Sequence, residues 1–471
     1  MKIEQIYTGC LAHAAYYVES KGEAAIFDPL REVQPYINKA KADNAKIKYV
    51  FETHFHADFV SGHLDLKKKT GADIVFGPTA KPSYEALVAE DGEIFQLGDY
   101  KIKVLHTPGH TMESTTYLLI DENDEKHGLI TGDTLFIGDV GRPDLAQKVI
   151  EELTPELLAS HLYDSLRNKI MPLSDDLIIY PNHGAGSACG KNMSKETTDT
   201  LGHQKKVNYA LRADMTKEEF IKELLDGLTA PPGYFPQNVL MNIQGYENLD
   251  KVMAKSQNPL SPKAFEVAAN ETDAVVLDVR SAAEFVKGHI PRSIFIGIDG
   301  SFAQWVGALI VDVTQPILLV TSEDRKEEVI TRLSRVGFDN VQGYLEGSFE
   351  AWKNEGMEYD TLNSIDAEEL EKRYSKVNRF IFDVRREGEY KAEQVEGAIL
   401  TPLDYLNDHL SEFPDDSTFY LYCAGGYRSV IAASILKSRG IHNVINVEGG
   451  YGAIRKTRIP ITDYVCPSTL K

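Results

Sequence analysis

The second half of the chain repeats itself. Asp278-Val279-Arg280 returns as Asp383-Val384-Arg385, Arg335-Val336-Gly337-Phe338 is echoed by Arg439-Gly440-Ile441, and Leu345-Glu346-Gly347-Ser348 by Val447-Glu448-Gly449-Gly450, at offsets of 105, 103 and 102. Offsets so nearly constant require two homologous domains in succession. Each copy opens with an apolar strand, Ala274 to Leu277 or Arg379 to Phe382, that ends in Asp-Val-Arg and leads into Glu-Phe or Glu-Tyr on a short helix. The boundaries expected are 1–257, 258–360 and 361–471, three domains in a chain of 471 residues.

The second copy carries a nucleophile. Phe419-Tyr420-Leu421-Tyr422 is a strand, Ser429 to Lys437 a helix, and Cys423-Ala424-Gly425-Gly426-Tyr427-Arg428 the loop joining them. Gly425 and Gly426 let backbone N–H groups curl toward the sulfur, the helix presents its positive end, and Arg428 adds a charge. All three favour the thiolate, or a persulfide held on Cys423. Four residues separate Cys423 from Arg428, whereas a cysteine phosphatase loop has five, and the tighter ring excludes a phosphate-sized group. In the first copy Thr321 stands opposite Cys423, and the loop Ser322-Glu323-Asp324-Arg325 has no glycine and two acids. A hydroxyl lacks thiol nucleophilicity, so this copy is expected to be catalytically dead, a spacer or interface, with Trp305 and Trp352 as ordinary core or contact residues.

The first 257 residues are arranged around Thr53-His54-Phe55-His56-Ala57-Asp58-Phe59, which follows the apolar run Ile47 to Phe51. In extended chain, residues two apart point to one side, so His54, His56 and Asp58 can face one pocket at a strand's carboxyl end. Three further fragments put a His or Asp in a turn after an apolar run: His110 after Ile102 to Leu105, Asp133 after Leu129-Ile130, and His183 after Leu177 to Tyr180. Recurrence at four strand ends points to a metal centre. His13, His106, His127 and His203 lack that context and read as ordinary surface or core histidines. The stretch Lys191 to Gly227 reads as mostly helical, with a capping box at Thr216 and Glu219. Ala230-Pro231-Pro232-Gly233-Tyr234-Phe235-Pro236 reads as the start of a turn-rich closing segment.

Composition narrows the partners. Fifty basic against 71 acidic residues give a net charge of −21, which repels nucleic acid and anionic membranes. An anionic thiol would then need a local basic patch, for which Arg142, Lys191, Lys205, Lys206 and Arg212 are the candidates. Four widely spaced cysteines (Cys10, Cys189, Cys423, Cys466) do not form a disulfide framework. Cys189, in a turn near the metal end, reads as a packed thiol. With an acidic N-terminus and no long apolar run, a cytoplasmic chain is expected.

The His-x-His-x-Asp, Gly-His, Gly-Asp and final His order resembles the metallo-β-lactamase fold. The longer motifs, Glu52 to Asp58, His106 to Thr111 and Gly132 to Leu145, resemble the persulfide dioxygenases of that superfamily, and the two later copies resemble the rhodanese fold. The fold class implied is α/β: an αββα metallo-β-lactamase domain followed by two rhodanese-like α/β domains. Dinuclear zinc hydrolases of the superfamily have a second His after the motif Asp, but here Phe59 takes that place, so one metal is expected. The resemblance implies one Fe(II) per chain on His54, His110 and Asp133, with His56, Asp58 and His183 as weaker ligands or supporting residues. A two-His, one-carboxylate set leaves positions open for a sulfur substrate and O₂. The activity implied is oxidation of a thiol persulfide, on glutathione, coenzyme A or a similar thiol, to sulfite. Cys423 then joins persulfide sulfur and sulfite as thiosulfate. A homo-oligomer is expected. The alternatives are a zinc thioester hydrolase of the glyoxalase II kind fused to a sulfur carrier, and a non-enzymatic sulfur carrier or sensor.

Overall fold

The computed structural model describes residues 2–145, 153–191, 193–228, 230–377 and 380–466. The chain divides into two compact units, one of residues 2–252 with 333–337 and the other of 253–332 with 338–466.

The first unit is a sandwich of two six-stranded sheets. One runs in simple order β1 (Lys2–Thr8), β2 (His13–Ser20), β3 (Glu23–Phe27), β4 (Lys46–Phe51), β5 (Asp73–Phe76), β6 (Leu87–Val88). The other runs β7 (Ile94–Leu97), β8 (Tyr100–His106), β9 (Thr115–Ile120), β10 (Lys126–Gly132), β11 (Ile178–Pro181), β12 (Asp199–Thr200). Alternation along β2 explains the layering. Ala14, Tyr16 and Val18 face the second sheet, packing with Phe95, Val104, Tyr117 and Ile130, while Ala15 and Tyr17 face outward with Tyr36, Ala40 and Leu66 of the covering helices Gln34–Ala42 and His63–Thr70. A strand apolar on both faces can only lie between two layers. Helices Pro155–Ser165 and Lys217–Leu225 close the other side through Leu158, Leu162, Phe220 and Leu224. The expected capping box at Thr216 and Glu219 is formed.

Residues 191–227 are less helical than their composition suggests: among the described residues there, only Leu201–Val207 and Lys217–Leu225 are α-helical. The closing segment departs in the opposite sense. Its prolines confine the turn to the residues before Phe235, and Pro236 then sits in the first turn of helix Phe235–Gln244, where a missing N–H costs nothing. A further helix, Leu249–Ser256, follows.

The second unit contains two five-stranded, all-parallel sheets. The first has strands β13 (Pro259–Leu260), β14 (Val275–Asp278), β15 (Ile294–Phe295), β16 (Ile317–Val320) and β17 (Val341–Leu345), in order 13-17-16-14-15. In the second, β18 (Ser364–Ile365), β19 (Ile381–Asp383), β20 (Ile399–Leu400), β21 (Phe419–Tyr422) and β22 (Val444–Val447) run 18-22-21-19-20, the same path shifted by five strands. Arg379, placed in the second copy's opening strand by its sequence, lies outside the described residues. Each copy is locked by the same clasp. Arg280 pairs with Asp278 at 2.6 Å and donates to Gly288 O at 2.8 Å; Arg385 pairs with Asp383 at 2.6 Å and donates to Glu393 O at 2.8 Å. The repeated Asp-Val-Arg is therefore architectural.

Candidate functional sites

In the first unit β4, β8, β10 and β11 all end at one place, and the turns after them carry His54, His110, Asp133 and His183. His110 Nε2 is 3.4 Å and His54 Nε2 3.9 Å from Asp133 Oδ2, and all three side chains are buried. His110 Nδ1 donates to Arg142 O at 2.8 Å, so Nε2 carries the lone pair that faces the site. His54 is held through a relay: its Nδ1 lies 3.0 Å from Thr53 Oγ1, and that hydroxyl donates to Asp28 Oδ1 at 3.1 Å. Burial and the neighbouring His56 and His110 push His54 well below the ordinary imidazole range, so it is neutral and able to ligate.

Both Asp133 oxygens are buried without a hydrogen-bond partner. Stripping a carboxylate of water and giving it no donor is costly, and a cation bound between it and two imidazole lone pairs removes the penalty. His54, His110 and Asp133 thus fit a metal ion, with ligand atoms all within 4.8 Å of one another.

His56 belongs to a second buried group. Its Nε2 meets Asp28 Oδ1 at 2.9 Å and Glu52 Oε2 at 3.3 Å. Burial opposes its charge, but Asp28 and Glu52 outweigh burial and hold the imidazole well above its ordinary value. Its Nδ1 has no hydrogen-bond partner. The ring stacks on Phe59, centroids 4.3 Å apart.

The loop from His56 to Ser61 is pinned by a residue that its sequence did not single out. Asn242, on helix Phe235–Gln244, donates to His56 O at 2.8 Å and Phe59 O at 2.9 Å and accepts from Ser61 N at 2.9 Å. An amide that supplies two donors and an acceptor to one irregular loop is a clamp. The sequence signal was slight: two asparagines, Asn238 and Asn242, one turn apart on the buried face of that helix.

A third group lies against the first. His183 Nε2 is 3.4 Å from Asp58 Oδ2 and 3.6 Å from Asp133 Oδ1, and the Cys189 sulfur lies within 4.8 Å of the Asp58 and His183 ligand atoms. Cys189 is buried, and burial together with Asp58 and Asp133 pushes its thiol up.

In the second unit Cys423 lies directly after β21, buried beneath the start of helix Tyr427–Ser438. Gly426 N donates to its sulfur at 3.1 Å and Ser429 Oγ lies 3.6 Å away. Gly426 has φ +98°, a conformation that disfavours any side chain, whereas Gly425 meets open space. Gly450 is required by contact: a Cβ there would stand 2.2 Å from Cys423 O. Arg428 is held by both oxygens of Glu389, at 2.7 and 2.8 Å, which shares its charge. A cavity of about 380 Å³ opens here, lined by Arg386, Glu389, Tyr427 and Arg428, and also by Ser301 and Trp305 of the first copy.

The metallo-beta-lactamase superfamily matches residues 8–183, and the rhodanese-like domain family matches twice, at 261–355 and 366–457. A crystal structure of a metallo-beta-lactamase from Staphylococcus aureus subsp. aureus COL is 32% identical, with a TM-score of 0.64, covering 73% of this chain and 98% of the other. The chain belongs to the metallo-β-lactamase superfamily. Two rhodanese-like domains follow its metallo-β-lactamase domain. Among curated relatives, hydroxyacylglutathione hydrolase GloC of Haemophilus influenzae is 29% identical over 37% of this chain and 85% of its own length. Hydroxyacylglutathione hydrolase of Dictyostelium discoideum is 32% identical over 39% of this chain and 66% of its own length. Both alignments are too short to span the rhodanese-like domains.

Four of the candidate docking cations of the metallo-β-lactamase domain, Arg142, Lys191, Lys205 and Arg212, have partners within it. Arg142 is buried, pairs with Asp144 at 2.6 Å, and offers its carbonyl to His110. Lys205 pairs with Asp175 at 2.6 Å, Arg212 with Asp214 at 2.8 Å, and Lys191 donates to Glu223 O and Asp226 O. In the first rhodanese-like domain Thr321 sits at the end of β16 as Cys423 does after β21, and Arg325 is turned to Asp299 and Glu328. Trp352 is core, its Nε1 donating to Glu358 O, but Trp305 lines the cavity beside Arg428. Among the described residues no helix is long and apolar enough to cross a membrane.

Proposed function

We propose that this chain is a bifunctional persulfide-oxidising enzyme. The metallo-β-lactamase domain acts as an Fe(II)-dependent persulfide dioxygenase, and the second rhodanese-like domain as a sulfurtransferase that yields thiosulfate. The observation that carries the reading is the buried His54, His110 and Asp133 set, two imidazoles and one carboxylate, with Phe59 filling the place of a further histidine. Ferrous iron held by such a set would offer open coordination positions and would supply the electrons that O₂ chemistry needs and zinc cannot provide. The surrounding chain orients the ligands: Arg142 O and Thr53 fix the two imidazoles, and Phe59, Phe136 and Tyr234, all buried, exclude water. In net terms a thiol persulfide, O₂ and water become the thiol and sulfite.

At the second site the Cys423 thiolate attacks the outer sulfur of a persulfide. The carrier thiol leaves with the electron pair of the broken S–S bond, and Cys423 keeps the transferred sulfur. Sulfite then attacks that sulfur, the bond to Cys423 breaks, and thiosulfate departs while the pair returns to the thiolate. Gly426 N–H and the positive end of helix Tyr427–Ser438 hold the anion throughout. A small-molecule or similar thiol carries the persulfide, and the chain works in the cytoplasm as a homo-oligomer.

A second reading is a zinc thioester hydrolase, favoured by the hydroxyacylglutathione hydrolase names of the curated relatives. One experiment separates them: metal content of anaerobically purified protein together with O₂ uptake on adding a small-molecule persulfide. About one iron per chain with persulfide-dependent O₂ consumption and sulfite release is expected. Zinc in place of iron, thioester cleavage and no O₂ uptake would replace this reading with the hydrolase.

A further inference from the structure

We infer that Arg335 and the turn after it position the metal-end loop, so that the copy without a nucleophile has a task at the His54, His110, Asp133 set. Residues 333–337 fall within the stretch that matches the rhodanese-like domain family, 261–355, yet they belong to the first compact unit. Arg335 closes helix Lys326–Arg335, and its carbonyl accepts from Val60 N at 2.7 Å. The inference rests on the first set holding a metal and on no particular reaction there.

The backbone groups of the loop show why residue 335 is needed. Asn242 answers His56 O, Phe59 O and Ser61 N, Tyr234 Oη donates to Asp58 O at 3.3 Å, and Tyr246 Oη donates to Ser61 O. These partners all come from residues 234–246. Val60 is buried, and its N–H is answered from elsewhere, by Arg335 O. A buried N–H without an acceptor is costly, so the loop is complete only with that carbonyl in place. Three contacts hold the carbonyl there. Arg31, wholly buried, donates to Ser334 O at 2.9 Å and to Glu247 O at 2.6 Å. The Arg335 side chain pairs with Glu32 and donates to Cys10 Sγ at 3.3 Å. Gly337 lies against helix Phe235–Gln244, where a Cβ would stand 2.8 Å from Asn238 Oδ1 and 3.0 Å from Met241 Sδ. A shift of Val60 is passed inward by Phe59, which stacks on His56; His56 meets Asp28, and Asp28 accepts from the Thr53 hydroxyl beside His54 Nδ1.

The second copy shows that the turn does not need this packing in order to form. Arg439 and Gly440 follow helix Tyr427–Ser438 in the corresponding place, and Gly440 has φ +90° against +86° at Gly337. Arg439 and Gly440 are exposed, however, and a Cβ on Gly440 would meet nothing. Glycine is required by φ in both turns and by contact in only one of them.

The experiment compares the full chain with Arg335→Ala, Arg335→Lys, Gly337→Ala and Gly440→Ala. Hydrogen–deuterium exchange of the metal-free chains reads the amides of residues 56–62, Co²⁺ binding against graded chelators reads the metal set, and circular dichroism shows that each variant has folded. Arg335→Ala and Gly337→Ala should exchange those amides about tenfold faster and bind Co²⁺ roughly tenfold more weakly, with an unaltered dichroism spectrum. Arg335→Lys keeps a cation for Glu32 and should recover part of the affinity. Gly440→Ala carries the same backbone strain without the contact and should leave exchange and affinity at the metal end as they are. Wild-type exchange and affinity in both Arg335→Ala and Gly337→Ala would overturn the inference, as would faster exchange with unaltered affinity, or an equal loss in Gly440→Ala. A wild-type chain that takes up no Co²⁺ would overturn the metal reading itself, and the inference with it. Should Arg335→Ala and Gly337→Ala both fail to fold, Glu32→Gln decides, because it only frees the Arg335 side chain: weaker Co²⁺ binding by the folded variant supports the inference, and wild-type affinity counts against it.

Discussion

At the scale of single residues, the two candidate sites separate cleanly because each depends on one kind of atom. Cys423→Ser exchanges a thiolate for a hydroxyl beneath the same Gly426 N–H. It is expected to abolish thiosulfate formation and to leave persulfide-dependent O₂ uptake and sulfite release within about twofold of wild type, since the metal ligands belong to a different compact unit and share no partner with Cys423. Parallel assays of sulfite, thiosulfate and O₂ check this, and equal loss of all three would sink the two-site scheme. His110→Ala should do the reverse. It removes an imidazole whose Nε2 stands 3.4 Å from Asp133, so bound iron and O₂ uptake fall to background while transfer of sulfur from thiosulfate by Cys423 persists. Full iron occupancy in that variant would show that the ligands are misassigned. Most of this chemistry was legible in the sequence, because ligand-type residues at strand ends and a Cys-to-Arg loop before a helix are local patterns. The sequence put Cys189 in a turn near the metal end, but its approach to Asp58 and His183 was not legible, because it comes from that turn folding back and no spacing along the chain encodes it.

Among the elements, helix Phe235–Gln244 matters most to the metal end although it supplies no candidate ligand. Asn242→Ala leaves two buried carbonyls and one N–H of the 56–61 loop without partners, each costing roughly 1–3 kcal/mol. Metal affinity is expected to fall by roughly 10- to 100-fold, as for other residues that orient ligands from behind. Asn242→Asp keeps the acceptor for Ser61 N but loses both donors, so it should not rescue. Competition against a graded series of chelators measures the change, and unaltered affinity in both variants would show that the loop holds itself. This helix was hidden in the sequence by Pro231, Pro232 and Pro236, which read as a break. Proline breaks a helix interior but is welcome in its first turn, and only the position of Phe235 as the first helical residue decides between the two. The strands were easier, since β3 to β5 and β8 to β11 are apolar runs ended by turns. The sheet order was less accessible, because it is set by which faces of the strands are buried together.

For the molecule as a whole, the two tryptophans give a spectroscopic handle, because Trp305 and Trp352 both belong to the first rhodanese-like domain. That domain also contains His289, which is stacked on Phe285 and donates from Nδ1 to Phe285 O. Burial pushes His289 down to about 4 from its ordinary 6.5. A histidine depressed in the folded state is neutral there, so its contribution to stability is complete above the unfolded value and is lost as pH falls from about 6.5 toward 4. The loss approaches roughly 3 kcal/mol at the acid end. Thermal or urea unfolding followed by tryptophan fluorescence should therefore show a midpoint that falls between pH 7 and pH 5. His289→Asn keeps a donor for Phe285 O and should flatten that slope, whereas an identical slope in the variant would assign the acid sensitivity elsewhere.

The Asp278–Arg280 and Asp383–Arg385 clasps are superimposable in their bonding, yet only one of the domains they lock has a nucleophile. The clasp forms in a copy that has Thr321 where the other has Cys423, so it does not depend on the reactive loop. The protein thus carries its own blank: a matched scaffold from which the reactive loop has been subtracted. Any property the two copies share belongs to folding, and any they do not share belongs to chemistry. Residues 321–326 of the first copy can therefore be exchanged without loosening the clasp, because Arg280 ties Asp278 to Gly288 O without them.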